Sequence, residues 1–192
     1  MVLGERFRQA LDVALLLHAN QKRKGTETPY AAHLLSTASL VLQFGGTEDQ
    51  AIAGLLHDAV EDAGGHATLD KLREQFGEAV ADIVEGCTDT FEDPKPAWRP
   101  RKEKYIASLP GKPAATLLVS ACDKLDNARA ILADLRREGV GTLSRFNGGL
   151  DTVWYYRAIT EALRAAGRST RVADVVRELD PVVAELEKVC SA

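Results

Sequence analysis

At 192 residues the chain is long enough to bury one core, since domains typically run to about 100–200 residues. Its 45% hydrophobic and 27% charged residues exclude a disordered or fibrous composition. A net charge of -4 argues against broad affinity for nucleic acid or anionic membranes, so an anionic ligand must be held by local positive charge.

Apolar residues recur at helical spacing almost throughout, and no stretch keeps the alternation of a strand, which predicts an all-α fold. Phe7, Leu11, Ala14, Leu15 and His18 mark a first helix, followed by a basic, polar loop from Gln21 to Thr28. Pro29 fits the first turn of a second helix that carries His33 and runs to about Phe44, where Gly45-Gly46 ends it. Thr47 caps a third helix over 48–62, apolar through Ala51, Ile52, Ala53, Leu55 and Leu56 and then abruptly acidic. Thr68 reads as the cap of a short helix to Phe76, Gly77 breaks it, and another helix covers Ala79 to about Val84. Residues 89–101, with Pro94, Pro96 and Pro100, read as a loop whose far edge carries Arg99, Arg101, Lys102 and Lys104. Pro113 opens the longest helix, reaching Arg136, and two more lie near 151–166 and 170–189. With no internal repeat, residues 1–192 read as one domain, the last helix packing on the rest.

No apolar run approaches the roughly 20 residues needed to cross a bilayer, and Met1 to Arg8 does not resemble a signal segment, which favours a cytoplasmic location without a membrane partner. Cys87, Cys122 and Cys190 are widely separated and fit no ligand spacing, as suits a reducing compartment.

Chemistry concentrates in His57-Asp58-Ala59-Val60-Glu61-Asp62. On a helix Glu61 lies one turn from His57 and Asp62 one turn from Asp58, so three carboxylates and an imidazole crowd two turns behind an apolar run. A metal ion would relieve that repulsion; a solvated helix end with a few salt bridges is the competing reading. In Asp123-Lys124-Leu125-Asp126-Asn127 an aspartate and an asparagine sit four apart on a helix that reads as mostly buried. Asp123 is thus a candidate ligand or the partner of a buried cation, while Lys124 and Asp126 read as solvated residues of the other face. His33 alone would be an ordinary core histidine.

Four blocks, His18-Ala19-Asn20-Gln21-Lys22-Arg23-Lys24-Gly25, Pro29-Tyr30-Ala31-Ala32-His33, Leu55-Leu56-His57-Asp58-Ala59-Val60-Glu61-Asp62 and Asp123-Lys124-Leu125-Asp126-Asn127, resemble the HD-domain metal-dependent phosphohydrolases of the RelA/SpoT hydrolase type. The resemblance runs from about Leu11 to Leu163 and is similar to a stand-alone small alarmone hydrolase. It implies that His33, His57, Asp58 and Asp123 ligate a divalent ion, usually Mn²⁺. It implies further that Glu61 and Asp62 orient and deprotonate a water attacking phosphorus, and that Asn127 binds the nucleotide.

By the same resemblance Arg23 and Lys24 pack on base and sugar, Tyr30 lines that pocket, the basic run with Lys102 and Lys104 meets the polyphosphate, and Arg157 reaches phosphate. Trp154-Tyr155-Tyr156 reads more readily as core. Leu34 stands where the family usually has proline, and the tract from Cys87 to Pro113 matches poorly. The implied activity is hydrolysis of the 3′-pyrophosphate of a guanosine or adenosine alarmone. A broader HD-domain nucleotidase and a non-catalytic alarmone sensor are the alternatives, and a homo-oligomer is left open. Metal affinity is expected to fall below about pH 6.5, where imidazoles protonate.

Overall fold

A computed structural model describes residues 2–62, 64–167 and 169–191. Ten α-helices form among them: α1 (Glu5–Leu17), α2 (Ala31–Gln43), α3 (Glu48–Leu56), α4 (Ala59–Asp62), α5 (Gly65–Phe76), α6 (Glu78–Cys87), α7 (Trp98–Ser108), α8 (Ala114–Glu138), α9 (Asp151–Ala166) and α10 (Thr170–Ser191). Short 3₁₀ turns at Leu109–Gly111 and Val140–Arg145 lead into and out of α8. The described residues contain no strand, only an isolated bridge between Lys22 and Pro29 that closes the loop after α1.

Thr47 begins α3 by a reciprocal cap: its hydroxyl accepts from the Gln50 N–H, and the Gln50 side chain accepts from the Thr47 N–H. From Ala51 to Leu56 every residue of α3 is buried, so its apolar run forms the centre of the core. Fully burying a side chain such as Ile52, Leu55 or Leu56 contributes about 1.5–3 kcal/mol each. Around α3 pack α1, α2, α6 and α8, while α10 lies along α8 and α9 through Val172, Val175, Val176, Leu179, Val183 and Leu186.

Four local expectations are corrected. The helix over 48–62 is broken: α3 ends at Leu56, His57 and Asp58 form a turn, and α4 restarts at Ala59. Thr68 is not a cap, because Gly64 in the left-handed region (φ 115°) lets α5 begin at Gly65 and places Thr68 inside it. Residues 98–101 are helical rather than loop, since Pro100 falls in the first turn of α7, where its missing N–H is not needed. Pro29 precedes α2, which starts at Ala31.

The distance between α2 and α3 is set by Gly54. A Cβ there would lie 3.2 Å from the Ala38 Cα, tighter than an ordinary contact, so any larger residue requires the α2 backbone to give by a few tenths of an ångström. This approach fixes where His33 on α2 stands relative to His57 at the end of α3. Gly54→Ala should therefore force α2 outward and destabilise the fold by about 1–3 kcal/mol in urea denaturation, despite the higher helix propensity of alanine.

Candidate active site

His33 and His57 meet in the core with their Nε2 atoms 3.2 Å apart. Asp58 Oδ2 stands 3.1 Å from His57 Nε2 and 3.6 Å from His33 Nε2, and Asp123 Oδ1 stands 3.3 Å from His33 Nε2 and 3.7 Å from His57 Nε2. The far nitrogens are occupied: His57 Nδ1 donates to the Gly54 carbonyl at 2.8 Å, and His33 Nδ1 lies 2.6 Å from Asp126 Oδ2. With each Nδ1 backed by oxygen, each Nε2 faces the centre, as an imidazole ligand requires. Donor atoms of His33, His57 and Asp58 all lie within 4.8 Å of one another. Asp123 adds a fourth donor from α8, and this nitrogen and oxygen set fits a divalent ion.

Burial alone would lower the His33 pKa, yet hydrogen bonds to Asp123, Asp126 and Asp58 outweigh it and raise it to about 9. Burial likewise opposes, and Asp58 and Asp123 reverse, the shift of His57, which ends well above the usual imidazole value. Burial would raise Asp58 and Asp123, but His57 holds the first, and Lys124 with both histidines the second, well below the carboxylate range. The Tyr30 hydroxyl donates to Asp58 Oδ2 at 2.5 Å, fixing that carboxylate from the start of α2.

Beside this centre Glu61 and Asp62 project from α4. Glu61 Oε1 accepts from the Asp89 N–H at 2.9 Å, Lys95 Nζ lies 3.4 Å from Glu61 Oε2 and 3.3 Å from Asp62 Oδ1, and Gln21 Nε2 donates to Asp62 Oδ2 at 2.9 Å. Burial, then the carboxylates of Asp89 and Asp58, pushes Glu61 up to about 7. Asp89, its side chain 3% exposed, accepts from Arg101 Nη1 at 2.5 and 2.7 Å and from Lys102 Nζ at 2.5 Å.

His33, Asp58, Asp123, Glu61, Asp62, Asp89, Lys95, Arg101 and Lys102 line one cleft of about 560 Å³, within the range of small-molecule sites, with His57 buried behind its wall. Arg23, Lys24, Tyr30, Asn127 and Lys102 line it with the histidine and aspartate centre. Burial, then Lys102 and Lys95, lowers the Lys24 pKa, a sign that cations are crowded there. Two expected phosphate ligands lie elsewhere. Lys104 is exposed on α7 and outside the cleft lining. Arg157 is held by Glu187 at 2.6 and 2.9 Å and by Asp180 at 2.7 Å, and so ties α9 to α10. Tyr155 and Tyr156 are core residues that also form part of the cleft wall.

Residues the sequence reading passed over stand in the cleft as well. Lys124 and Asp126 face it rather than solvent: Lys124 Nζ bonds the Asp123 carboxylate, and Asp126 backs His33. Only the placement of the Asp123-to-Asn127 block on a buried helix hinted at this, since their partners are remote in sequence. Asp89 was hidden in the proline-rich tract, and Arg101, expected in the basic run that meets the polyphosphate, is paired with it.

Comparison with known proteins bears directly on this centre. The HD domain profile matches residues 10–145. The chain belongs to the HD-domain family. This HD-domain chain is 31% identical over 128 residues to a guanosine-3′,5′-bis(diphosphate) 3′-pyrophosphohydrolase of Aquifex aeolicus, with 67% of this chain and 18% of that protein covered. It is 37% identical over 132 residues to the pyrophosphohydrolase MESH1 of Xenopus tropicalis, with 67% of this chain and 69% of the relative covered. It thus spans under a fifth of the first relative and just over two thirds of the second. The HD-domain fold is shared by a solved metazoan ortholog of SpoT described as hydrolysing ppGpp, with TM-score 0.78, 24% identity, and 97% of this chain and 98% of that one covered. No described helix is long and apolar enough to cross a membrane.

The caged histidines move the pH window of ion binding above the expected 6.5, because His33 holds its proton up to about pH 9. Loading Mn²⁺ at pH 7.5 should therefore release at least one proton per site. Titration calorimetry in buffers of different ionisation enthalpy reads this, and a buffer-independent heat would rule out His33 as a protonated ligand.

Proposed function

We propose that this HD-domain protein is a hydrolase that removes the 3′-pyrophosphate of a nucleotide alarmone of the (p)ppGpp or (p)ppApp type, giving pyrophosphate and a 5′-nucleotide. Its ion is Mn²⁺ and its location the cytoplasm. The observation that carries the reading is the meeting, at one cleft, of a His33, Asp58 and Asp123 donor set backed by the buried His57, a paired Glu61 and Asp62, and the cations Arg23, Lys24, Lys95 and Lys102. The pyrophosphohydrolase names of the relatives support the substrate class.

A divalent ion in this centre supplies Lewis acidity and a water of lowered pKa. The chain's own groups do the rest. Glu61, pushed up to about 7, is matched to accept a water proton near neutral pH, and Asp62 shares Lys95 with it. Tyr30 steadies Asp58, and the Asp89 N–H aims the Glu61 carboxylate. Arg23 offers a planar guanidinium for stacking on a purine, and Lys24, Lys95 and Lys102 supply the positive charge that the acidic chain otherwise lacks.

A manganese-dependent panel over guanosine and adenosine alarmones, with product identification, tests the reading. Release of pyrophosphate from the 3′ position is expected; intact alarmones beside cleavage of other nucleotides would point to a general nucleotidase, and binding without turnover to a sensor. Replacing Glu61 or Asp62 by alanine should lower kcat by about 10²–10⁴-fold. The parent rate should climb as pH rises through about 7, where Glu61 loses its proton, and that limb should vanish in Glu61→Ala.

A further inference from the structure

We infer that Asp126 is a positioning residue serving both the metal ligand His33 and the substrate-loop Arg23, so that ion affinity and substrate affinity depend on one carboxylate. The inference rests on the metal-centre reading of His33. Asp126 does not reach the centre itself. Its Oδ2 lies 2.6 Å from His33 Nδ1, on the side of the ring away from the other donors, and its Oδ1 accepts the Ser36 hydroxyl. His33 has no exposed side-chain surface, so in the intact fold its Nδ1 relies on this acceptor rather than on water.

A neutral imidazole carries one N–H. An acceptor at Nδ1 holds the proton there and leaves the Nε2 lone pair for the ion; without it the ring is free to change tautomer, and the buried Nδ1–H is left unpaired. The second role runs through Arg23. Its Nη1 stands 3.8 Å from Asp126 Oδ2 and donates to Asn127 Oδ1 at 2.9 Å, while Asn127 Nδ2 donates to Asp123 Oδ1 at 2.5 Å. Arg23 thus rests on two neighbouring α8 residues, each of which also touches a proposed ligand. Arg23 comes from the loop after α1 and His33 from α2, and Asp126 is where they meet.

Mn²⁺ titration of folded protein without substrate separates the roles. Asp126→Ala should weaken Mn²⁺ binding by about 10–100-fold. Asp126→Asn keeps an oxygen for the Nδ1–H but loses the charge facing Arg23, so it should bind Mn²⁺ closer to the parent value. At saturating Mn²⁺ its alarmone KM should still rise, by roughly twofold to fivefold, as for loss of a partly exposed ion pair. Ser36→Ala, which loosens Asp126 without removing it, should weaken Mn²⁺ binding a few-fold. Folded Asp126→Ala with parent Mn²⁺ affinity would overturn the inference and leave the metal centre standing. Parent protein that binds no Mn²⁺ would overturn both. Should Asp126→Ala not fold, parent-like Mn²⁺ affinity and KM in both Asp126→Asn and Ser36→Ala would overturn it equally.

Discussion

Two imidazole nitrogens buried 3.2 Å apart and pointing at each other form an arrangement that needs positive charge between or upon them. Their lone pairs repel, and the neighbouring carboxylates of Asp58 and Asp123 add negative charge in a setting with little water. The carboxylates of Asp123, Asp126 and Asp58 favour a proton there and raise His33 to about 9, and a divalent ion would answer the same cluster of donors. The surrounding structure holds the strained set in register. Gly54 lets α2 and α3 close up and lends its carbonyl to His57, while α8, braced from behind by α10, brings Asp123 and Asp126.

The cleft is built on the same balance. Its cations are engaged before any ligand arrives: Arg101 and Lys102 on Asp89, Lys95 across Glu61 and Asp62, Lys124 on Asp123. A polyanion entering such a site exchanges one set of ion pairs for another, so its attraction depends on charge density more than on net charge. Glu61 lies at the junction, its backbone partner Asp89 also holding the two cations of α7. A change in how those cations are held would therefore reach the Glu61 carboxylate through a single residue.

The helical fold could be read from apolar spacing because most helices bury one regular face, and Thr47 announced its cap through Gln50 three residues on. α7 could not, since it buries only Arg101 and Tyr105 and carries Pro100 in its first turn. The break at His57 was equally hidden, because α3 and α4 continue one apolar rhythm across the turn. Among site residues, the histidines and aspartates stood out through a family resemblance rather than through spacing alone. Asp126 and Arg157 were misread for a common reason: polar residues on helices are assigned by their partners, and these lie 93, 23 and 30 residues away. Pairings at such distance leave no local trace.

The turn that separates α3 from α4 would make an ion in this centre partly a local chelate. His57 and Asp58 are consecutive, so two candidate donors stay close along the chain in any state, whereas His33 comes from 24 residues upstream and Asp123 from another helix. Half of the candidate donor set is thus local and half is tertiary. An ion held by the local half alone would have only a weak site; full affinity would need α2 and α8 docked, so ion binding would report native assembly.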